Sequence, residues 1–186
     1  MASPSFSSTR AIANVRLGRY DVAAAHFREL VALDRSPGTF ANLARSLACA
    51  ERWDAALTTL AEADRIHPRD PQLAALREPI TQGRMLAGAA AADRDPRARA
   101  RIWYALGAAD LVRRELAPAP SDDPETVVLL ALADALDGDV QGARRTLIAA
   151  RTRDPEHAAT WNAALVELSR IAAPAPSGSG LDALFR

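Results

Sequence analysis

The chain has no lysine. All 23 of its basic residues are arginine, which excludes Schiff-base chemistry and a phosphate loop closed by a lysine. Alanine, aspartate and proline are abundant alongside arginine, as expected from a GC-rich genome. Cysteine is nearly absent too. Cys49 stands alone, so no intramolecular disulfide forms. It sits among small residues near the end of a predicted helix and reads as inert packing rather than as a thiol nucleophile. The three histidines, His26, His67 and His157, are scattered. No H-x3-H or C-x2-C spacing is present, so no metal site and no cofactor are expected. No G-x-S-x-G elbow, Gly-rich phosphate loop or paired catalytic carboxylates emerge, and no catalytic residue is assigned.

Long apolar runs are missing as well. No stretch of about 18 apolar residues exists to span a bilayer. The Ser-rich start, Met1 to Arg10, lacks the apolar core of a signal peptide, so a cytoplasmic location is expected. The formal net charge is zero and the isoelectric point is about 6.8. Neither draws the chain toward nucleic acid or an anionic membrane. Aromatics make up only 5% of the 186 residues.

What remains is alanine, leucine and charge. Hydrophobic residues are 49% and charged residues 25%, a globular balance, and alanine is the strongest helix former. No strand-like alternation appears, so the fold expected is all-α. The stretch from Gly38 to Pro71 organises the rest. Phe40, Leu43, Ala44 and Leu47 fall at i, i+3, i+4 and i+7, one face of a helix. Ser36 suits its cap and Pro37 its first turn. After a turn at Glu51-Arg52, a second stripe carries Trp53, Ala56, Leu60 and Ala63. It ends at His67-Pro68, because the residue before a proline is pushed out of the helical region.

Two offsets recur. Gly18, Tyr20, Ala23 and Phe27 reappear 33 residues later as Glu51, Trp53, Ala56 and Leu60. Trp53, Ala56, Leu60, Ala63 and Pro68 reappear 87 residues later as Val140, Ala143, Leu147, Ala150 and Pro155. Taken in order, residues 1–7 read as a disordered lead, followed by a short helix from Thr9 to Leu17 and another from Asp21 to Asp34. The middle is irregular. A helix opens at Asp70-Pro71, and Pro79 should kink or split it. Another opens at Asp95-Pro96 and is expected to reach Leu116, with Trp103 inside it and no second helix paired to it. Asp123-Pro124 opens the later regular pair, with Gly138 at its turn. Asp154-Pro155 opens a final helix with Ala158, Trp161, Ala164, Leu165 and Leu168 as its inner stripe. Residues 174–186 read as a flexible tail ending in a short apolar motif, Leu181, Leu184 and Phe185.

The 38–71 stretch resembles the tetratricopeptide repeat, bacterial-type, a helix–turn–helix unit of about 34 residues with the pattern W-x2-L-G-x2-Y…A-x3-F…P. The resemblance implies a short right-handed α-solenoid of about nine helices over residues 8–173. Its repeats would fall near 8–36, 37–70 and 122–155, with an irregular pair at 71–121 and a capping helix at 155–173. It also implies a concave groove lined by the first helix of each pair. The groove candidates are Asn42, Arg45 and Cys49 in one repeat and Val128, Leu129, Leu132 and Leu136 in the other. Some family members clamp a peptide carboxylate with lysine, asparagine and arginine; lacking lysine, this chain does not reproduce that clamp. The helix carrying Val128 to Leu136 is apolar all round and should be buried. Either the irregular middle helices, Trp103 included, cover it, or a partner does.

The function expected is therefore a non-catalytic scaffold or adaptor that binds a peptide or helix of another protein in its groove or builds a multiprotein assembly, self-association included. Under that expectation, Arg45→Glu and Leu132→Asp weaken partner binding without unfolding the chain. A tetratricopeptide-type chaperone for a secretion or assembly client is the first alternative. A nucleic-acid-associated protein is the second. It would use arginine clusters at Arg94, Arg97, Arg99, Arg101, Arg113 and Arg114 and at Arg144, Arg145, Arg151 and Arg153. Asp134, Asp137 and Asp139 around Gly138 have the look of a calcium loop, but an ordinary interhelical turn is the expectation.

Overall fold

The computed structural model describes the backbone of residues 4–88, 95–120 and 122–173, and side chains from residue 8 onward. Those residues form ten α-helices and one 3-10 turn, with no strand among them. The chain divides into two compact units, Met1–Ala91 and Ala92–Arg186.

The first unit holds α1 (Pro4–Arg16), α2 (Tyr20–Leu33), α3 (Pro37–Cys49), α4 (Trp53–Ile66) and α5 (Pro71–Ala87). Each helix packs on the next, and α3 also packs on α5. Local chemistry sets the starts. The Ser36 hydroxyl accepts from the Thr39 N–H, with Pro37 in the first turn. The Asp70 carboxylate accepts from the N–H groups of Gln72 and Leu73, with Pro71 beside it. The second unit holds α6 (Pro96–Ala105), α7 (Ala109–Leu116), α8 (Pro124–Leu136), α9 (Val140–Arg153), a 3-10 turn (Pro155–His157) and α10 (Ala158–Ala172). Asp95 and Asp123 cap α6 and α8 in the same Asp-Pro manner. Here α8 is the hub, packed by α6, α7, α9 and α10.

One turn joins the helices of every hairpin. Gly18, Glu51, Gly107 and Gly138 all have positive φ, at 66°, 59°, 75° and 102°. In each case that residue's N–H bonds three residues back and the next N–H bonds five back. The bonds from Arg19 to Asn14, Arg52 to Leu47, Ala108 to Trp103 and Asp139 to Asp134 run from 2.8 to 3.0 Å. This is the Schellman closure of a helix end, which satisfies two otherwise orphaned carbonyls.

The core positions of the two units correspond. Ala11, Ala23 and Phe27 match Ala100, Val112 and Leu116 at an offset of 89 residues, and all six are buried. Ala44, Ala56, Leu60 and Ala63 match Ala131, Ala143, Leu147 and Ala150 at 87, again all buried. Leu73, Leu76 and Ile80 match Trp161, Ala164 and Leu168 at 88. Each unit is thus two hairpins closed by a fifth helix.

Three expectations change. The first helix begins at Pro4, inside the stretch read as a lead, and ends at Arg16. The helix read from Asp95 to Leu116 is two, because Gly107 takes a positive φ and reverses the chain. Trp103 therefore does have a following partner helix, α7. Pro79 does not split α5, which is helical from Pro71 to Ala87. The carbonyl that a proline leaves without its bond belongs to Ala75, an exposed residue.

Candidate partner-binding site

The helix α3 presents two faces. Phe40, Leu43, Ala44 and Leu47 are buried, as the periodicity requires. The other face carries Asn42, Arg45, Ser46 and Cys49, one helical row at i, i+3, i+4 and i+7. Asn42 and Ser46 are fully buried, Cys49 is buried and Arg45 is half-buried. Among the described residues, neither amide atom of Asn42 nor the Ser46 hydroxyl has a hydrogen-bond partner. Buried polar groups are almost always paired, so two such side chains one turn apart are unusual. The sequence reading named Asn42, Arg45 and Cys49 but passed over Ser46. Its place four residues after Asn42 was the signal.

The second candidate set lies elsewhere than in an open groove. Leu129 and Leu132 are buried, and Val128 and Leu136 half-buried. Leu132 belongs to a core with Ala131, Ala135, Leu147, Trp161 and Leu168, and Val128 and Tyr104 pack against it. The cover comes from within the second unit. The Tyr104 hydroxyl donates to Glu167 Oε1 at 2.9 Å, tying α6 to α10 across this core. Burial first, and the Glu167 carboxylate second, push the Tyr104 phenol well above its usual range. Leu132→Asp is therefore a core substitution, not a groove substitution. The tail motif, Leu181, Leu184 and Phe185, lies outside the described residues, as does Arg94.

Four arginines of the first cluster, Arg97, Arg99, Arg101 and Arg113, are engaged by carboxylates within the second unit. Arg97 reaches Asp95 and Asp123, the latter at 3.1 Å, and Arg101 reaches Glu125. Arg99 pairs with Glu115 at 3.4 Å and lies over the Trp103 ring. Arg113 bonds Asp134 at 2.9 Å and Asp137 at 2.6 Å, and Asp139 caps α9 through the Gly142 N–H. The aspartate trio around Gly138 is thus a turn in which two carboxylates take an arginine. The histidines are local too. His67 Nε2 donates to the Arg35 carbonyl at 2.6 Å, and His157 contacts Asp154 at 2.7 Å. His26 lies 3.8 Å from Glu29. Among the described residues, no three His, Cys, Asp or Glu side chains gather as a metal group.

No family model, curated protein or solved structure matches this chain. Among the described residues, no helix is long and apolar enough to cross a membrane.

Proposed function

We propose that this protein is a non-catalytic helical-repeat scaffold, a right-handed solenoid of tetratricopeptide type, that holds an extended segment of a partner protein along α3, where Arg45 is the half-buried member of the otherwise buried Asn42 row. The single observation that supports this reading is the buried, unpartnered Asn42 amide with the Ser46 hydroxyl one turn on. An amide offers one acceptor and two donors, the complement of a peptide backbone. Since Asn42 and Ser46 are fully buried, a partner segment reaches them only when the helices packed on α3 part. Arg45, between them, adds a cation for a partner carboxylate. The four identical hairpin turns support the repeat architecture. The apolar residues of α8 take no part in this reading, since they belong to the core of the second unit.

The test separates binding from folding. A buried polar group with no partner costs about 1–3 kcal/mol, so removing it relieves the fold. Asn42→Leu is expected to leave the melting temperature unchanged or raised. The same variant, tagged and purified from the native host, is expected to lose a stoichiometric protein that the wild type retains. Arg45→Glu is expected to lose it as well. If Asn42→Leu melts lower and keeps the partner, Asn42 is a packing residue and the α3 site is wrong.

A further inference from the structure

A different surface, on the second unit, carries an inference beyond the α3 face. The helix α9 has four arginines, Arg144, Arg145, Arg151 and Arg153, and no acidic residue. All four are exposed. Elsewhere in the fold, several arginines meet carboxylates, Arg35 with Glu62, Arg84 with Asp54, Arg97 with Asp123 and Arg113 with Asp134. Others, such as Arg52, Arg65 and Arg114, are exposed and meet none among the described residues. What sets α9 apart is four exposed arginines on one helix that carries no acidic residue. Arg151 Nη1 donates to the neutral Asn162 of α10 at 3.0 Å, and Arg153 to the Ala149 carbonyl. Among the described residues, Arg144 and Arg145 meet no carboxylate.

The same surface has an apolar seam. Ile148 on α9 is 42% exposed and Val166 on α10 is 56% exposed. The Arg151–Asn162 bond fixes how the helices adjoin. They are joined through Asp154 and the short 3-10 turn, so α10 runs back along α9. One turn away from that connection leads from Arg151 to Ile148 and from Asn162 to Val166. The two apolar side chains therefore flank one seam, with Arg144 and Arg145 above them and Arg151 below. Small exposed neighbours, Ala149 and Thr152, leave room beside it.

The first unit shows that the fold does not require this chemistry. The positions corresponding to Ile148 and Val166 are Ala61 and Glu78. Those corresponding to Arg144, Arg145 and Arg151 are Leu57, Thr58 and Asp64. There the seam between α4 and α5 is closed by ion pairs, Asp64 with Arg77 and Asp54 with Arg84.

We infer that the seam between α9 and α10 docks an acidic amphipathic helix of another protein, whose apolar stripe sits on Ile148 and Val166 and whose carboxylates pair with Arg144, Arg145 and Arg151. Apolar anchors at the centre with charge at the rim are the anatomy of a helix-binding surface. The α9 helix has 14 residues, about 21 Å, which is the reach of a partner helix of three to four turns. A phosphate backbone has no use for Ile148 and Val166. The seam offers no aromatic ring to stack a base, and the whole chain lacks the positive charge of a nucleic-acid binder.

Fluorescence anisotropy on the full chain tests this. The probe is a labelled helical peptide of glutamate and leucine with its leucines on one face. The control has the same composition with the leucines scattered round the helix. The ordered peptide is expected to bind at least about tenfold more tightly than the scattered one. Ile148→Glu, Val166→Glu and the double change Arg144→Glu with Arg145→Glu are each expected to weaken it by about tenfold or more, with unchanged circular dichroism. Equal binding of the two peptides, or no binding of either, overturns the inference. So does tighter binding of mixed-sequence single-stranded RNA than of the ordered peptide at physiological salt, which would assign the arginines to phosphates.

Discussion

Gly83 lies directly against the indole of Trp53. A Cβ built on Gly83 would collide with three carbons of that ring. The contact joins α5 to the start of α4, and both residues are buried. Glycine in a helix interior is normally a cost of roughly 0.5–1 kcal/mol against alanine. Here the cost is tolerated because the ring needs the space.

Gly83→Ala is accordingly expected to destabilise the first unit by about 1–3 kcal/mol, against its gain in helix propensity. Thermal unfolding followed by circular dichroism checks it. Trp53→Leu in the same chain removes the obstructing ring, so the double variant should be more stable than the sum of the two singles predicts. Strict additivity would mean that the ring is not what excludes the methyl.

Leu132→Asp is expected to unfold the second unit rather than trim a binding face. Leu132 is 4% exposed in a core with Trp161 and Leu168. An unpaired carboxylate there costs more than about 3 kcal/mol, and Leu132→Ala about 2–5 kcal/mol. Urea unfolding monitored by tryptophan emission reports on it, since Trp161 shares that core. A Leu132→Asp chain with wild-type stability would return Leu132 to the surface.

These two cases mark how far the sequence could be read. Where a helix has one apolar stripe, as α3 does with Phe40, Leu43 and Leu47, periodicity picks its inner face. Apart from Asp134, the helix α8 is apolar from Val127 to Leu136, so periodicity gives no unique inner face. The choice of Leu132 for a groove had nothing to correct it. The α6–α7 hairpin was missed for another reason. Gly107 falls inside the single helix expected from Asp95 to Leu116, whereas its positive φ makes it the turn itself. Asn42 was legible as a polar residue in an apolar helix, but its burial was not. Burial depends on α2, α4 and α5 closing round α3.

Acid should weaken the fold through its capping carboxylates. Asp34 is held below the usual carboxylate range by the Ser36 and Thr39 hydroxyls, which outweigh its desolvation. For Asp95 and Asp123, desolvation is the largest influence and pushes upward. The N–H groups of Arg97 and Thr126, together with the Arg97 guanidinium, outweigh it and leave both lowered. A carboxylate lowered in the folded state binds fewer protons there than in the unfolded chain. Its contribution is present above the unfolded value of about 4 and is lost as pH falls through the folded one. Melting temperature is therefore expected to hold near neutrality and drop below about pH 4. Asp123→Asn keeps a capping side chain but cannot titrate, so its profile should be flatter in that range. An identical acid slope in Asp123→Asn would remove Asp123 from the account.

The repeated hairpin turn gives two substitutions of opposite sign. Gly138 has φ of 102°, and a Cβ there would meet nothing within 4 Å. Space is not the constraint; the backbone conformation is. Gly138→Ala is expected to cost about 1–2 kcal/mol, the penalty of an L side chain in the left-handed region. Glu51 occupies the corresponding position in the first unit with φ of 59°, and so already carries such a penalty. Glu51→Gly is expected to raise stability by no more than about 1 kcal/mol, because the freer unfolded chain offsets part of the relief. Denaturant midpoints of the two single variants decide the matter. If both changes destabilise, the left-handed residue is not what the four turns have in common, and the hydrogen bonds closing them must be set by the helices on either side.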